Sequence, residues 1–279
     1  MNILITGMNS YVGSNVGEFL THLTHDVHYI SLKDSNRKNR SFKGFNCIFH
    51  VAGIAHVPSK SVKHDHYNLI NHELTVELAK KAKMDGVHHF IFMSSIMVYG
   101  NQSNIEKHSK PTPNNAYGLS KYQAEVGLLE LQSKTFNITI VRAPMIYGYK
   151  SKGNFDKLRK LALHFPIFPL LINQRSMLYI ENLNVIIAHI IEQNIYGVVF
   201  PQNPDYSSTY SIVESIRRLR GKKTLKIRLF NPLLRLIARH NNTMKKLFGD
   251  LYYSWREFEG LNLVSLEESL RRIEKQHES

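Results

Sequence analysis

A tyrosine and a lysine four residues apart, Tyr117 and Lys121 in the run Tyr-Gly-Leu-Ser-Lys, are the residues of this chain best suited to chemistry. On a helix that spacing puts both side chains on one face. A phenol beside an ammonium is expected to lose its proton near neutral pH, because the positive charge stabilises phenolate. Such a phenol gives and takes a proton as an alcohol is oxidised or a ketone reduced. A second group of polar side chains lies upstream. His89-Phe-Ile-Phe-Met runs into Ser94 and Ser95, so an apolar strand ends in two hydroxyls. Open α/β sheets bind ligands at that carboxyl edge.

These side chains need a sheet to hold them, and the amino terminus supplies its first strand. Asn-Ile-Leu-Ile-Thr, ending at Thr6, fits a buried parallel strand. It runs into Gly7-Met-Asn-Ser-Tyr-Val-Gly13 and then a helical pattern through Val16, Phe19 and Leu20. A strand, a glycine turn and a helix opening form the context of a dinucleotide site. The helix start offers N–H groups and a positive dipole end to a pyrophosphate. Gly7, Asn9, Ser10, Tyr11, Val12 and Gly13 are the expected contacts. Gly7 takes the tight turn and Gly13 allows close helix–strand packing, while Ser10 stands where a third glycine is usual. A serine at the edge of the Ser94–Ser95 strand could then hold a sugar hydroxyl or carbonyl between Tyr117 and a nicotinamide.

The end of the second strand reports on the cofactor. Asp26-Val-His-Tyr-Ile-Ser31 is that strand, followed by Leu-Lys33 with Arg37 and Lys38 close behind. An acid there holds the ribose of NAD. A hydroxyl with cations favours the extra phosphate of NADP, whereas Asp34 serves NAD if the strand ends later. NADP(H) and NAD(H) both stay open.

Bulk properties narrow the class. A chain of 279 residues with 43% hydrophobic residues has ample core for one large or two intimate domains. No apolar stretch approaches a membrane span, and the start reads as a strand and not a signal peptide. Cys47 is the single cysteine, which excludes a disulfide within the chain and fits a cytoplasmic location. The fifteen histidines show no metal-ligand spacing, so no metal is expected. The net charge of +14 is concentrated near Arg217-Arg218-Leu-Arg220-Gly-Lys222-Lys223 and continues past Lys226 to Lys245-Lys246. No nucleic-acid motif accompanies it. Solvated surface explains most of this charge, and a weak contact with an anionic membrane surface, through the apolar run from Leu229, stays open.

Strand and helix patterns alternate through the first half: Cys47 to Val51 is a strand turning at Ala52-Gly53, about Tyr67 to Lys83 a helix, and Ile138 to Val141 a strand. The expected fold is α/β, a Rossmann-like doubly wound parallel sheet with a smaller C-terminal substrate-binding lobe. Residues 1–147, with about 176–199, form the nucleotide-binding domain; 148–175 and 200–279 form the lobe.

Together these segments resemble the extended short-chain dehydrogenase/reductase family, in its nucleotide-sugar epimerase/dehydratase branch. The resemblance rests on Thr6 to Gly13, His50-Val-Ala-Gly53, Tyr67-Asn-Leu-Ile-Asn71, Ser94-Ser-Ile-Met-Val-Tyr-Gly100, Arg142-Ala-Pro-Met-Ile-Tyr-Gly148 and Arg175-Ser-Met-Leu-Tyr-Ile-Glu-Asn-Leu183. It implies Ser95, Tyr117 and Lys121 as catalytic residues. Ser31, Lys33, Val51, Ala52, Gly53, Asn71, Ser94, Lys121 and Pro144 join the glycine turn around the cofactor. Ser95, Tyr117, Asn154 and Arg175 meet a UDP-sugar, the arginine holding its diphosphate. A homodimer through the Tyr67 and Tyr117 helices is also implied. The branch's dehydratases carry an Asp-Glu pair where this chain has Ile96 and Met97, which argues against dehydration. The expected reaction is reduction of the 4-keto group of a UDP-linked 6-deoxy-amino sugar for a bacterial surface polysaccharide; the alternative is a UDP-hexose 4-epimerase with tightly bound NAD. A non-catalytic cofactor sensor ranks below both, since the Ser95, Tyr117 and Lys121 set is intact.

Overall fold

The structure is a computed structural model that describes residues 1–31, 40–54, 64–170, 173–227 and 248–278. The chain opens with β1 (Asn2–Thr6), α1 (Tyr11–His22), β2 (Asp26–Ile30) and β3 (Cys47–His50). The next segment is helical throughout: α2 (His64–Tyr67), a π-helical turn (Asn68–Glu73) and α3 (Leu74–Met84). Then come β4 (His89–Ser95), a 3₁₀ turn (Ile96–Tyr99), β5 (Asn104–Ile105), α4 (Ala116–Leu129), β6 (Asn137–Ala143) and β7 (Met145–Tyr147). The rest holds α5 (Asn154–His164), β8 (Ile167–Pro169), β9 (Met177–Tyr179), α6 (Ile180–Glu192), β10 (Gly197–Val199), α7 (Thr209–Leu219), β11 (Leu225–Ile227), β12 (Tyr252–Tyr253) and α8 (Leu266–Gln276).

These elements form two compact units: Met1–Asn101 with Ser109–Ala143 and Leu183–Pro201, and Gln102–His108 with Pro144–Asn182 and Gln202–Ser279. The first unit contains a sheet of six parallel strands in the order β2-β1-β3-β4-β6-β10. Side chains alternate along each strand. Leu4, Ile48, Phe90, Phe92, Ile138 and Ile140 therefore meet Leu78 and Ala82 of α3 and Ala124 and Leu128 of α4 on one face. Ile5 points the other way, against Gly13 and Gly17 of α1. Helices thus cover both faces, which is the doubly wound arrangement.

The strand order departs from six-stranded dinucleotide folds in one respect. β1 is flanked by β2 and β3, with no further strand outside β2 among the described residues. The chain reverses its winding between β1 and β3, and ligands of such sheets bind outside the strand ends at that point. The second unit is built around small parallel pairs, β7 with β9, β8 with β11 and β5 with β12. Its interior includes Tyr147, whose hydroxyl contacts Ser269 at 2.6 Å and accepts from Asn203 Nδ2 at 2.9 Å.

Candidate active site

Three residues of α4 at helical spacing each bond to the end of β4. Tyr117 shares a side-chain hydrogen bond with Ser95. Lys121 Nζ donates to the Met93 carbonyl at 2.9 Å. Glu125 accepts from Ser94 Oγ. Local sequence fixes where this helix starts: Asn115 is its N-cap, accepting from Gly118 N at 2.9 Å. Gly118 itself lies against the turn that follows Ser95, since a Cβ there would come within 2.5 Å of the Met97 carbonyl oxygen. Ser95 is held in turn, its Oγ accepting from Met97 N at 3.2 Å.

Burial sets the electrostatics, and it corrects one expectation. Desolvation raises the Tyr117 phenol above its ordinary value; the Ser95 bond opposes the rise and Tyr67 adds to it. Tyr67 meets the Tyr117 ring edge-on, with centroids 6.3 Å apart. The phenol is therefore a protonated acid near neutral pH and not the phenolate expected from spacing alone. The ammonium explains the difference: it is turned onto the Met93 carbonyl and the Phe92 ring, 4.5 Å from the ring centroid. Burial lowers Lys121 to about 8, with the Glu125 charge working against the fall.

The β1–β3 edge forms the second half of the site. Gly7 has φ +87 and Asn9 φ +68, conformations suited to glycine and tolerated by asparagine. Gly7 N and Met8 N both reach the Ile30 carbonyl, at 3.1 and 3.5 Å, which folds the turn back on β2. Ser10 is the N-cap of α1, its Oγ accepting from Gly13 N at 3.0 Å. Its hydroxyl therefore fills the place above Gly13: a Cβ added to Gly13 would sit 2.7 Å from it. Tyr11 and Val12 are the first residues of α1. Ser31 follows β2 directly, and Lys33 lies outside the described residues.

Across from this turn, Val51 N and Ala52 N donate to Thr6 Oγ1 at 3.2 and 3.4 Å. Gly7 and Ala52 approach so closely that a Cβ on the glycine would stand 3.1 Å from Ala52 N. Gly53 has the same character: its Cβ would meet Asn71 Oδ1 at 2.9 Å and Lys121 Nζ at 3.4 Å. Asn71 is fully buried in the π-helical turn, a distortion often found at functional sites. Its Oδ1 accepts from Ile54 N at 2.9 Å and its Nδ2 donates to Ile54 O at 3.0 Å. A dinucleotide fits this edge: a positive-φ glycine turn leads into a capped helix start, and glycines stand where any side chain would collide. Thr6 to Gly13, Val51 to Gly53, Asn71, Ser94, Ser95, Tyr117 and Lys121 all belong to the first unit.

Two residues that spacing did not single out complete the cluster. Arg142 on β6 is the register partner of Ser94. It forks onto Glu125, with Nη2 donating to Oε2 at 2.6 Å and Nε at 3.1 Å, and its Nη1 donates to the Tyr99 hydroxyl at 2.6 Å. Burial disfavours the arginine's charge, but the bonds and charge of Glu125 outweigh it and raise Arg142 above its ordinary value. Glu125 follows Lys121 by the same interval that separates Lys121 from Tyr117, which is the signal that could have found it.

The remaining expected contacts lie in the second unit. Pro144 is buried between β6 and β7. Asn154 is exposed at the first position of α5, after Gly153 with φ +123. Arg175 donates from Nη1 to the Gly249 carbonyl at 3.0 Å; burial lowers its value and Asp250 opposes that. The described part of the basic run is largely engaged within this unit. Arg218 pairs with Glu267 at 3.1 Å, Arg220 with Glu274 at 2.6 Å and Lys226 with Glu214 at 3.0 Å. The rest of that run, 228–247, lies outside the described residues. No helix among them is long and apolar enough to cross a membrane.

Comparison with known proteins adds the lineage. Residues 3–197 match the NAD dependent epimerase/dehydratase family. The chain is 29% identical over 218 residues to a UDP-glucose 4-epimerase of Vibrio cholerae, covering 68% of this chain and 66% of that one. It is 26% identical over 276 residues to the N-acetyl-alpha-D-glucosaminyl-diphospho-ditrans,octacis-undecaprenol 4-epimerase of Escherichia coli O157:H7, covering 90% and 82%. A UDP-2-acetamido-2,6-beta-L-arabino-hexul-4-ose reductase of Pseudomonas aeruginosa is 25% identical over 235 residues, covering 80% and 59%. The fold matches the dTDP-4-dehydrorhamnose reductase of Bacillus anthracis, solved with NADP, at a TM-score of 0.73 and 21% identity over 99% of each chain.

Proposed function

The chain belongs to the NAD dependent epimerase/dehydratase family, and from that premise we propose that it carries out oxidoreduction at C4 of a sugar nucleotide, chiefly as a 4-keto reductase. The observation that carries the chemistry is the Tyr117 hydroxyl, hydrogen-bonded to Ser95 and kept protonated by burial. A group that keeps its proton at neutral pH is poised to donate it to a carbonyl oxygen as the ketone becomes an alcohol. Ser95, already bonded to Tyr117, orients the 4-oxygen. Lys121 brings positive charge beside the acceptor and reaches the nicotinamide ribose. NAD(P), when bound, contributes hydride donation and acceptance at the sugar carbon.

The other assignments are part of the same proposal. Gly7, Asn9, Ser10, Tyr11, Val12 and Gly13 are assigned to the pyrophosphate, and Ser31 and Lys33 to the adenosine ribose. Val51, Ala52, Gly53, Asn71, Ser94 and Pro144 line the nicotinamide side. Arg175 and Asn154 take the UDP diphosphate, a planar fork suiting phosphate oxygens. Ile96 and Met97 cannot move protons, so dehydration is no part of the proposal. The substrate is a UDP-6-deoxy-amino-hexos-4-ulose made for a bacterial surface polysaccharide, in the cytoplasm. A homodimer through the helical segment that holds Tyr67 and through α4, which holds Tyr117, is included; Leu69, Val126 and Leu129 are exposed apolar side chains on those segments.

A 4-epimerase is the second reading, favoured by the two 4-epimerase relatives at 29% and 26% identity. One experiment separates the readings. Denaturing the purified protein releases little cofactor if it is a reductase that exchanges NADPH, and assays of UDP-4-keto sugars then show NADPH oxidation. Stoichiometric NAD in the denatured supernatant, with interconversion of two UDP-hexoses, discards the reductase reading.

A further inference from the structure

We propose that Glu125 is a positioning residue of this reaction: pinned by Arg142 on β6 and Ser94 on β4, it fixes where Lys121 stands against the strand and sets a negative charge one turn from that ammonium. The inference rests on the proposed role of Lys121. Its geometric basis is the set of three bonds from α4 to consecutive β4 residues, Tyr117 to Ser95, Lys121 to the Met93 carbonyl and Glu125 to Ser94. The first two involve groups assigned to the chemistry. The third is the anchor, because Glu125 is 1% exposed and its carboxylate is gripped by both nitrogens of one guanidinium edge.

Such an arrangement is more than packing. A buried ion pair is costly to desolvate and weak evidence of stability, so a well-packed apolar pair would hold helix to strand at least as well. What an apolar pair cannot supply is negative charge one turn from a buried ammonium. The titratable and charged groups around Lys121 are Tyr117 and Glu125 on its own helix and His50 on β3, which feels the lysine's charge. Tyr67 faces Tyr117 from α2, and Arg142 and Tyr99 lie behind Glu125. Glu125 is the acid whose charge acts on Lys121.

The test is Glu125→Gln, which keeps the shape and removes the charge. Wild-type and variant protein are labelled with ¹³C-lysine, and the Cε resonance of Lys121 is identified by its loss in Lys121→Met. The wild-type resonance should titrate near 8, and the variant's about one unit lower. Turnover of a UDP-4-keto sugar with NADPH, or of UDP-glucose if the protein is an epimerase, should fall about twofold at pH 7.0 and roughly eightfold at pH 8.5. A structural defect would instead lower the rate alike at every pH. Should the variant not fold, because Arg142 is left buried and unpaired, Glu125→Gln with Arg142→Met removes both charges and should show the same two effects. A Lys121 midpoint that stays near 8 in a folded variant overturns the proposal, and so does a rate whose loss does not grow with pH. The titration needs neither sugar nor cofactor, so absence of turnover with every sugar would reject the proposed function while the midpoint still decides this inference.

Discussion

Acidification should weaken the protein through His50, and the structure fixes both the sign and the size. His50 Nδ1 lies 2.8 Å from Thr6 Oγ1 and Nε2 lies 2.9 Å from Thr75 Oγ1. Thr75 spends its own proton on the Asn71 carbonyl at 2.9 Å, so Nε2 must be the donor on that side. Thr6 Oγ1 already accepts from Val51 N and Ala52 N, so its proton goes to Nδ1. The neutral imidazole thus satisfies every partner, and a second proton on Nδ1 would meet the Thr6 hydroxyl proton head-on. Burial, helped by the Lys121 charge, lowers His50 from the ordinary 6.5 to about 3. An unfolded chain takes up that proton first, so this stabilisation is complete above pH 6.5 and is lost as pH falls toward 3. One pH unit is worth about 1.4 kcal/mol, so the interval from 6.5 to 5.0 removes about 2 kcal/mol. His89, lowered to about 4 by burial, adds a loss of its own, and only a comparison isolates His50. Urea unfolding of wild type and His50→Gln at pH 7.5 and 5.0 gives that comparison: glutamine can bond to both threonines and does not titrate. The wild type should lose about 2 kcal/mol more than the variant over this range. Equal losses in the two proteins would refute the tautomer and the buried-neutral state together.

Two further substitutions test the glycines that shape the site. Gly118→Ala sets a methyl 2.5 Å from the Met97 carbonyl, and backbone cannot yield as a side chain does. Its urea midpoint should correspond to a loss of about 2 kcal/mol, and an unchanged midpoint would show that α4 does not pack against that turn as described. Gly7→Ala strains a residue at φ +87 and crowds Ala52 N at 3.1 Å. Calorimetric titration with NADP+ and NAD+ should show binding weakened about tenfold or more, a cost of about 1–2 kcal/mol; unweakened binding would place the cofactor elsewhere.

The parts of the fold written in local pattern were legible from sequence. The apolar run Ile3 to Ile5 is a fully covered strand, and the alternation of strands and helices gave the parallel sheet. Ser10 stands where a third glycine is usual, although a serine at a helix opening is equally a cap, and that is its place here. The π-helical turn around Asn71 carries no sequence signature, since it comes from one residue's worth of slack in a helix. The strand order also depends on long-range pairing, which no local pattern encodes. The acidity of Tyr117 is not legible from spacing, for a plain reason. Spacing shows that an ammonium is near on the helix, whereas burial and the direction of the Lys121 side chain decide what the phenol feels. Glu125 and Arg142 are distant in sequence, and nothing local announces that β6 lies beside β4.

The most direct test of the central claim follows the reduced nicotinamide through a single turnover. Wild-type protein with bound NADPH is mixed rapidly with a UDP-4-keto sugar while the cofactor's absorbance is recorded, alongside Tyr117→Phe at equal cofactor occupancy. The wild type should consume one equivalent of NADPH per site, and the variant should be slower by about a hundredfold to ten-thousandfold with its cofactor affinity intact. Equal rates in the two proteins would contradict the assignment of the proton to the Tyr117 hydroxyl, and with it the reading of this site.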